Sequence, residues 1–181
     1  MLLQADHSCL LLVDVQQRLM PAVQHGTQVV EHATWLVRLA RTMDVPVRVT
    51  EQYPQGLGST VESLRELVGD DEVLTKVHFC ANQSDGVRNA LAATGRRQLV
   101  VAGAEAHVCV LQTVLGLLAE GYTVFVVADA ISSRNPRDAE LARQRLRDAG
   151  ATLVSPEMVA FEWLERADND TFRRIHRDFI R

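Results

Sequence analysis

Residues 98–121 read QLVVAGAEAHVCVLQTVLGLLAEG. The first five form a short apolar run without alternation, the pattern of a strand covered on both faces. From His107 to Glu120 the apolar residues recur at helical spacing, with Val110, Val114, Leu117 and Leu118 on one face. Gly121 comes next, where a left-handed helix cap is expected. The segment is therefore a strand, a turn and a helix. Working outward, further apolar runs stand at 9–13, 46–50, 72–74 and 123–128, with a weaker one at 152–154. Helix-period stretches lie between them at 29–43, 85–93 and 137–149, and Gly95 and Gly150 end two of these. Strand and helix in repeated alternation predict an α/β fold of three α/β/α layers around a six-stranded, mainly parallel sheet, with right-handed crossovers. The expected strand order is 3-2-1-4-5-6.

The 181 residues carry 19 basic and 23 acidic side chains, a net charge of −4, and are 47% hydrophobic. That length and composition suit one domain over 1–181 with a core of its own, not a disordered chain. The acidic balance argues against nucleic acid as a partner. No apolar run approaches the roughly 20 residues that cross a bilayer, so no membrane partner is expected. The first residues lack the basic start of a signal peptide. Cys9, Cys80 and Cys109 are odd in number and widely spaced, which predicts free thiols and a cytoplasmic location. The tail, 157–181, reads as one or two helices with Phe161, Trp163, Leu164, Phe172, Ile175 and Phe179 as its apolar set. That set suits packing on the chain's own sheet and equally a subunit contact.

Ligands of open α/β sheets bind beyond the carboxyl ends of the strands. Asp14 follows the first run, and Glu51, Gln52 and Tyr53 follow the second. Lys76 follows the third, Gly103 to Cys109 the fourth, and Asp129 with Ser132, Ser133 and Arg134 the fifth. By itself Asp14 suits a capping or salt-bridging aspartate as well as a catalytic one. Lys76 alone suits a solvated loop lysine, and Cys109 alone suits a core thiol as well as a nucleophile. Together an acid, an amine and a thiol at strand ends form a nucleophile constellation, with N–H groups around Cys109 as an oxyanion hole. Lys76 has to lean inward to join it, because the third strand lies about 10 Å from the first.

The segments Leu12-Val13-Asp14-Val15-Gln16, Thr75-Lys76-Val77-His78-Phe79 and residues 103–110, with residues 50–58 and 127–134, resemble the isochorismatase-like cysteine hydrolases, within them the isochorismatase domain-containing proteins. The resemblance runs over nearly the whole chain. It implies an Asp14–Lys76–Cys109 triad, a hydrolase of small-molecule C–N bonds, and a non-proline cis peptide between Ala104 and Glu105 in the nucleophile loop. It also implies a homo-oligomer, a dimer or larger. Gln16, Tyr53, Phe79 and His107 are the candidate pocket residues; for Tyr53 and Phe79 plain packing, and for His107 a structural role, are equally open. Nicotinamidases bind a metal through an aspartate and histidines after the second strand. Residues 51–58 here hold no histidine, so neither a metal nor any other cofactor is expected. Cys80 reads as a small residue near the pocket wall. A competing reading is a non-catalytic binding or scaffold member of the fold with an oxidisable thiol. A nucleotide-binding Rossmann protein is disfavoured, since Asp14-Val15-Gln16-Gln17-Arg18 supplies no glycine for a pyrophosphate.

Overall fold

The computed structural model describes residues 1–180. Its sheet has the order β3-β2-β1-β4-β5-β6, with every neighbouring pair parallel. The strands are β1 Ser8–Val13, β2 Val47–Gln52, β3 Val73–Lys76, β4 Gln98–Ala104, β5 Thr123–Ser132 and β6 Thr152–Val154. The helices are α1 Gly26–Thr42, α2 Pro54–Leu57, α3 Glu62–Arg65, α4 Asp85–Ala93, α5 Leu111–Ala119, α6 Pro136–Asp148, α7 Pro156–Leu164 and α8 Asp170–Phe179. The order and the layers are those expected from the sequence.

Alternation along β1 explains the layers. Leu10 and Leu12 face one side and pack with Leu36, Val37 and Ala40 of α1 and with Trp163 and Ile175 of α7 and α8. Cys9, Leu11 and Val13 face the other and pack with Leu91 of α4, Val114 and Leu117 of α5 and Leu146 of α6. A fully buried leucine contributes about 1.5–3 kcal/mol relative to an exposed one, so this double-sided run anchors the fold. The tail forms two helices. Trp163, Leu164 and Ile175 are buried in the chain's own core and Phe161 is left exposed.

Several strands run further than their apolar runs. β2 includes Glu51 and Gln52, β3 includes Lys76, β4 extends to Ala104 and β5 to Ser132. In β2 and β3 pairing continues past the apolar residues because the side chains of Glu51, Gln52 and Lys76 are held by hydrogen bonds. The β2–β3 register sets Gln52 opposite Lys76, and the β1 register sets Val13 opposite both Thr50 and Gly103. A side chain at position 103 is excluded: a Cβ there would lie 2.0 Å from the Val13 carbonyl oxygen, and φ is +128°. The β4–β5 register slips between Val101 and Gly103, so that Ala104 pairs with Ser132. Such a bulge beside a site re-aims the side chains next to it.

Candidate active site

Asp14 leaves β1 in the left-handed region, φ +53°, which aspartate tolerates better than most residues. Its backbone N–H donates to the Thr50 carbonyl at 3.1 Å. The Thr50 hydroxyl donates to Oδ1 at 2.7 Å and the Lys76 ammonium donates to Oδ2 at 2.7 Å. Both charged side chains are fully buried. Lys76 crosses β2 by way of Gln52, whose Oε1 accepts from Nζ at 2.7 Å while its amide nitrogen donates to the Val77 carbonyl at 2.8 Å. A third Nζ contact reaches the His78 carbonyl at 3.3 Å. The ammonium thus has three oxygen partners, which is what a charge out of water requires.

Cys109 stands in a π-helical turn, Ala106–Val110, that leads into α5. Expected in the first turn of an α-helix, it sits instead in a wider turn closed by the Val110 N–H donating to the Glu105 carbonyl at 3.2 Å. Such turns recur at functional sites. The thiol is 6% exposed and lies within electrostatic reach of both Asp14 and Lys76. Burial, and then the Asp14 carboxylate, push it up to about 12 against the pull of Lys76. Burial likewise raises Asp14, opposed by Lys76, Thr50 and the thiol itself. The resting cysteine is therefore a neutral thiol beside a strengthened base.

The peptide between Ala104 and Glu105 is cis. The Glu105 carboxylate, nearly buried, accepts from the Arg134 backbone N–H at 2.9 Å and from its Nε at 3.0 Å. His107 Nδ1 lies 2.8 Å from the Ser133 hydroxyl, and its Nε2 lies 3.9 Å from Asp138. Gln16 is fully buried: its amide nitrogen donates to the Gln52 and Gly58 carbonyls and its Oε1 accepts from the Gln52 N–H. That makes it a tie between loops. Glu51 similarly accepts from the Thr60 N–H and hydroxyl, both at 2.7 Å. Tyr53 and Phe79 are 56% and 52% exposed on the strand-end face. Tyr53, Gln55, Lys76, Val77, His78 and Ser84 line a cavity of about 310 Å³ there. Cys80 is buried, its Sγ 3.0 Å from the Asn82 side-chain oxygen.

Sequence reasoning gave no role to Thr50, Gln52, Ser133 or Arg134. Their signal was position at the ends of β2 and β5 and membership of the segments 50–58 and 127–134 that carry the resemblance. Among the described residues no group of three or more His, Cys, Asp and Glu side chains is placed to hold a metal ion, and no helix is long and apolar enough to cross a membrane.

Residues 8–158 match the isochorismatase domain family. The mouse isochorismatase domain-containing protein 2A is 34% identical over 175 residues, covering 95% of this chain and 82% of that protein. The MAR1 ribonuclease of Caenorhabditis elegans superposes with a TM-score of 0.93 at 30% identity, covering 100% of this chain and 93% of the other. The YcaC gene product of Escherichia coli, reported as an octameric hydrolase of unknown specificity, superposes with a TM-score of 0.91 at 28% identity, covering 97% and 89%.

Proposed function

The chain belongs to the isochorismatase family, and on that premise we propose that it is a cysteine hydrolase cleaving a C–N bond, amide or carbamoyl, in a small molecule. The observation that carries the proposal is the buried Asp14–Lys76 pair meeting the Cys109 thiol. Such burial of two charges is costly to a protein that needs only a core there.

Cys109 Sγ attacks the substrate carbonyl carbon as its proton passes to Asp14. The oxygen takes up the negative charge, and N–H groups of the loop from Ala104 to Cys109 hold it. The C–N bond breaks as Asp14 returns the proton to the leaving nitrogen, leaving a thioester. Water then attacks the thioester carbon and gives its proton to Asp14. The thiolate leaves and is reprotonated by Asp14. Lys76 keeps the carboxylate aligned and balances whichever group carries the negative charge. Tyr53 and Phe79 face the entering substrate. The protein works as a homo-oligomer, as the octameric YcaC relative supports.

A panel of small amides, ureides and carbamoyl compounds tests the reading, with quenched-flow mass spectrometry looking for an acyl group on Cys109. Cys109→Ala and Cys109→Ser should both abolish turnover of a substrate found this way. Turnover by Cys109→Ala near the wild-type rate refutes the mechanism. A ribonuclease activity, suggested by the name of the nematode relative, has less support: phosphate contacts need accessible cations, and Lys76 is buried and spent on Asp14, Gln52 and His78.

A further inference from the structure

The mechanism leaves one set of partnered polar groups unused. They lie behind the nucleophile. Residues 107 and 109 are two apart on a helical turn, at roughly 100° per residue, so their side chains leave the turn on nearly opposite sides. Cys109 faces Asp14 and Lys76. His107 faces the junction of β5 and α6, where it meets Ser133 of the connecting segment at 2.8 Å and Asp138 in the first turn of α6 at 3.9 Å. Glu105, which opens the turn, is gripped by Arg134 through one backbone and one guanidinium hydrogen bond. All four contacts join a five-residue stretch around Cys109 to a six-residue stretch, 133–138. The inner stretch is itself fixed: Ser133 is fully buried and its carbonyl accepts from the Gln24 N–H at 3.0 Å. The register slip in β5 sets Ser132 opposite Ala104, so this stretch begins one residue beyond that pair.

We propose that residues 133–138 are a positioning clamp, in which Arg134 on Glu105 and Ser133 and Asp138 on His107 hold the turn so that the Cys109 thiol stays against Asp14. Arg134 is the positioning residue most open to test, because its side chain is 64% exposed while the Glu105 side chain it grips is only 9% exposed. Removing the guanidinium leaves the backbone N–H on Glu105, so the fold survives while the turn is loosened. The inference rests on the reading of Cys109 as nucleophile and Asp14 as its base.

The test is the rate of iodoacetamide labelling at each cysteine, mapped by peptide mass spectrometry as a function of pH in wild type, Arg134→Ala and Arg134→Lys. In wild type the resting thiol is protonated, and it labels below neutral pH because its attack on iodoacetamide is coupled to passage of its proton to Asp14. A displaced thiol loses that help and behaves as an ordinary cysteine, about 1% thiolate at pH 6.5. Arg134→Ala should therefore slow Cys109 labelling at pH 6.5 by 10- to 100-fold, on the order of the loss from a misplacement of about 1 Å. Its rate should then climb about tenfold per pH unit toward pH 8.5. Arg134→Lys, with the charge but not the planar fork, should fall between. Buried Cys9 and Cys80 report general loosening and should not change. A wild-type Cys109 profile in Arg134→Ala overturns the clamp, and so does parallel acceleration at all three cysteines. A wild-type Cys109 that already titrates as an ordinary thiol overturns the nucleophile reading and the clamp with it.

Discussion

Replacing Lys76 by methionine keeps most of the length of the side chain and removes its charge, leaving the Asp14 carboxyl fully buried with the Thr50 hydroxyl as its remaining short donor. Asp14 is already pushed up by burial, and Lys76 supplies the largest opposing influence. Without it the carboxyl has to take a proton to stay inside. Holding that proton at pH 7, against an unfolded value near 3.9, costs about 4 kcal/mol. Breaking a buried ion pair from one side costs about 3–5 kcal/mol, so two separate estimates agree. The sign comes from the raised value. The folded variant holds a proton that the unfolded chain releases above about pH 4, so its stability relative to wild type falls as pH rises through this range. Urea denaturation should give a deficit of about 4 kcal/mol at pH 7 and a smaller one at pH 5. The double variant Asp14→Asn/Lys76→Met carries no buried charge and should recover more than half of the pH 7 deficit. A deficit below about 1 kcal/mol at pH 7, one equal at both pH values, or a double variant no better than the single one refutes the argument that uncompensated charge is the cost.

Gly103→Ala should destabilise by about 3 kcal/mol or more, since the added carbon meets the Val13 carbonyl in a left-handed backbone; a melting temperature within two or three degrees of wild type, less than about 1 kcal/mol, contradicts the fit. With its thiol pushed up to about 12, Cys109 should add no thiolate ultraviolet absorbance at pH 9 when wild type is compared with Cys109→Ser. Asp14→Asn removes a charge that holds the thiol proton, so the thiolate should appear at lower pH; a move to higher pH contradicts the stated cause. Turnover of any substrate found should persist after prolonged EDTA treatment, and loss with rescue by zinc would reverse the expectation of a metal-free site. Light scattering should give a multiple of 20.1 kDa; a monomer at micromolar concentration contradicts the oligomer.

The sheet was legible because its strands are covered on both faces: Cys9 to Val13 and Gln98 to Ala102 carry apolar side chains whichever way they point. Their ends were not. Hydropathy falls at Glu51, Gln52 and Lys76, yet the strands go on, because Gln52 and Lys76 satisfy one another across the register. The same contact resolves how an edge-strand lysine reaches Asp14. Asp14, Lys76 and Cys109 could be picked out as an acid, an amine and a thiol after three strands, while the resemblance implied the joint role proposed for them and the cis peptide. The supports escaped because they are pairings over long separations. His107 meets Ser133, and Glu105 meets Arg134, only through the slip in β5, which no spacing within either segment encodes. Gln16 was singled out as a candidate pocket residue, but its ties to the Gln52 and Gly58 carbonyls could not be read in advance, because they depend on where residues 52 and 58 come to lie.

Burial raises both Asp14 and Cys109, which at first sight opposes catalysis, since each then disfavours its charged form. The proposed proton transfer removes the conflict. Before attack the three groups carry one negative charge on Asp14 and one positive charge on Lys76. After the thiol proton reaches the carboxylate, the negative charge is on sulfur and the positive charge is unchanged. The net charge of the site stays at zero through the step. Only the neighbour of the ammonium that holds the negative charge changes, over a few ångströms. In a low-dielectric interior, creating a new ion is expensive, whereas moving one between two places beside a fixed counter-charge is far less so. Burial therefore raises both groups together, keeps the resting thiol protonated and leaves the carboxylate a stronger base than one in water. Lys76 has to remain paired throughout for this to hold, which is why its hydrogen bonds to Gln52 and the His78 carbonyl matter: they keep the ammonium in place while its carboxylate partner takes up the proton.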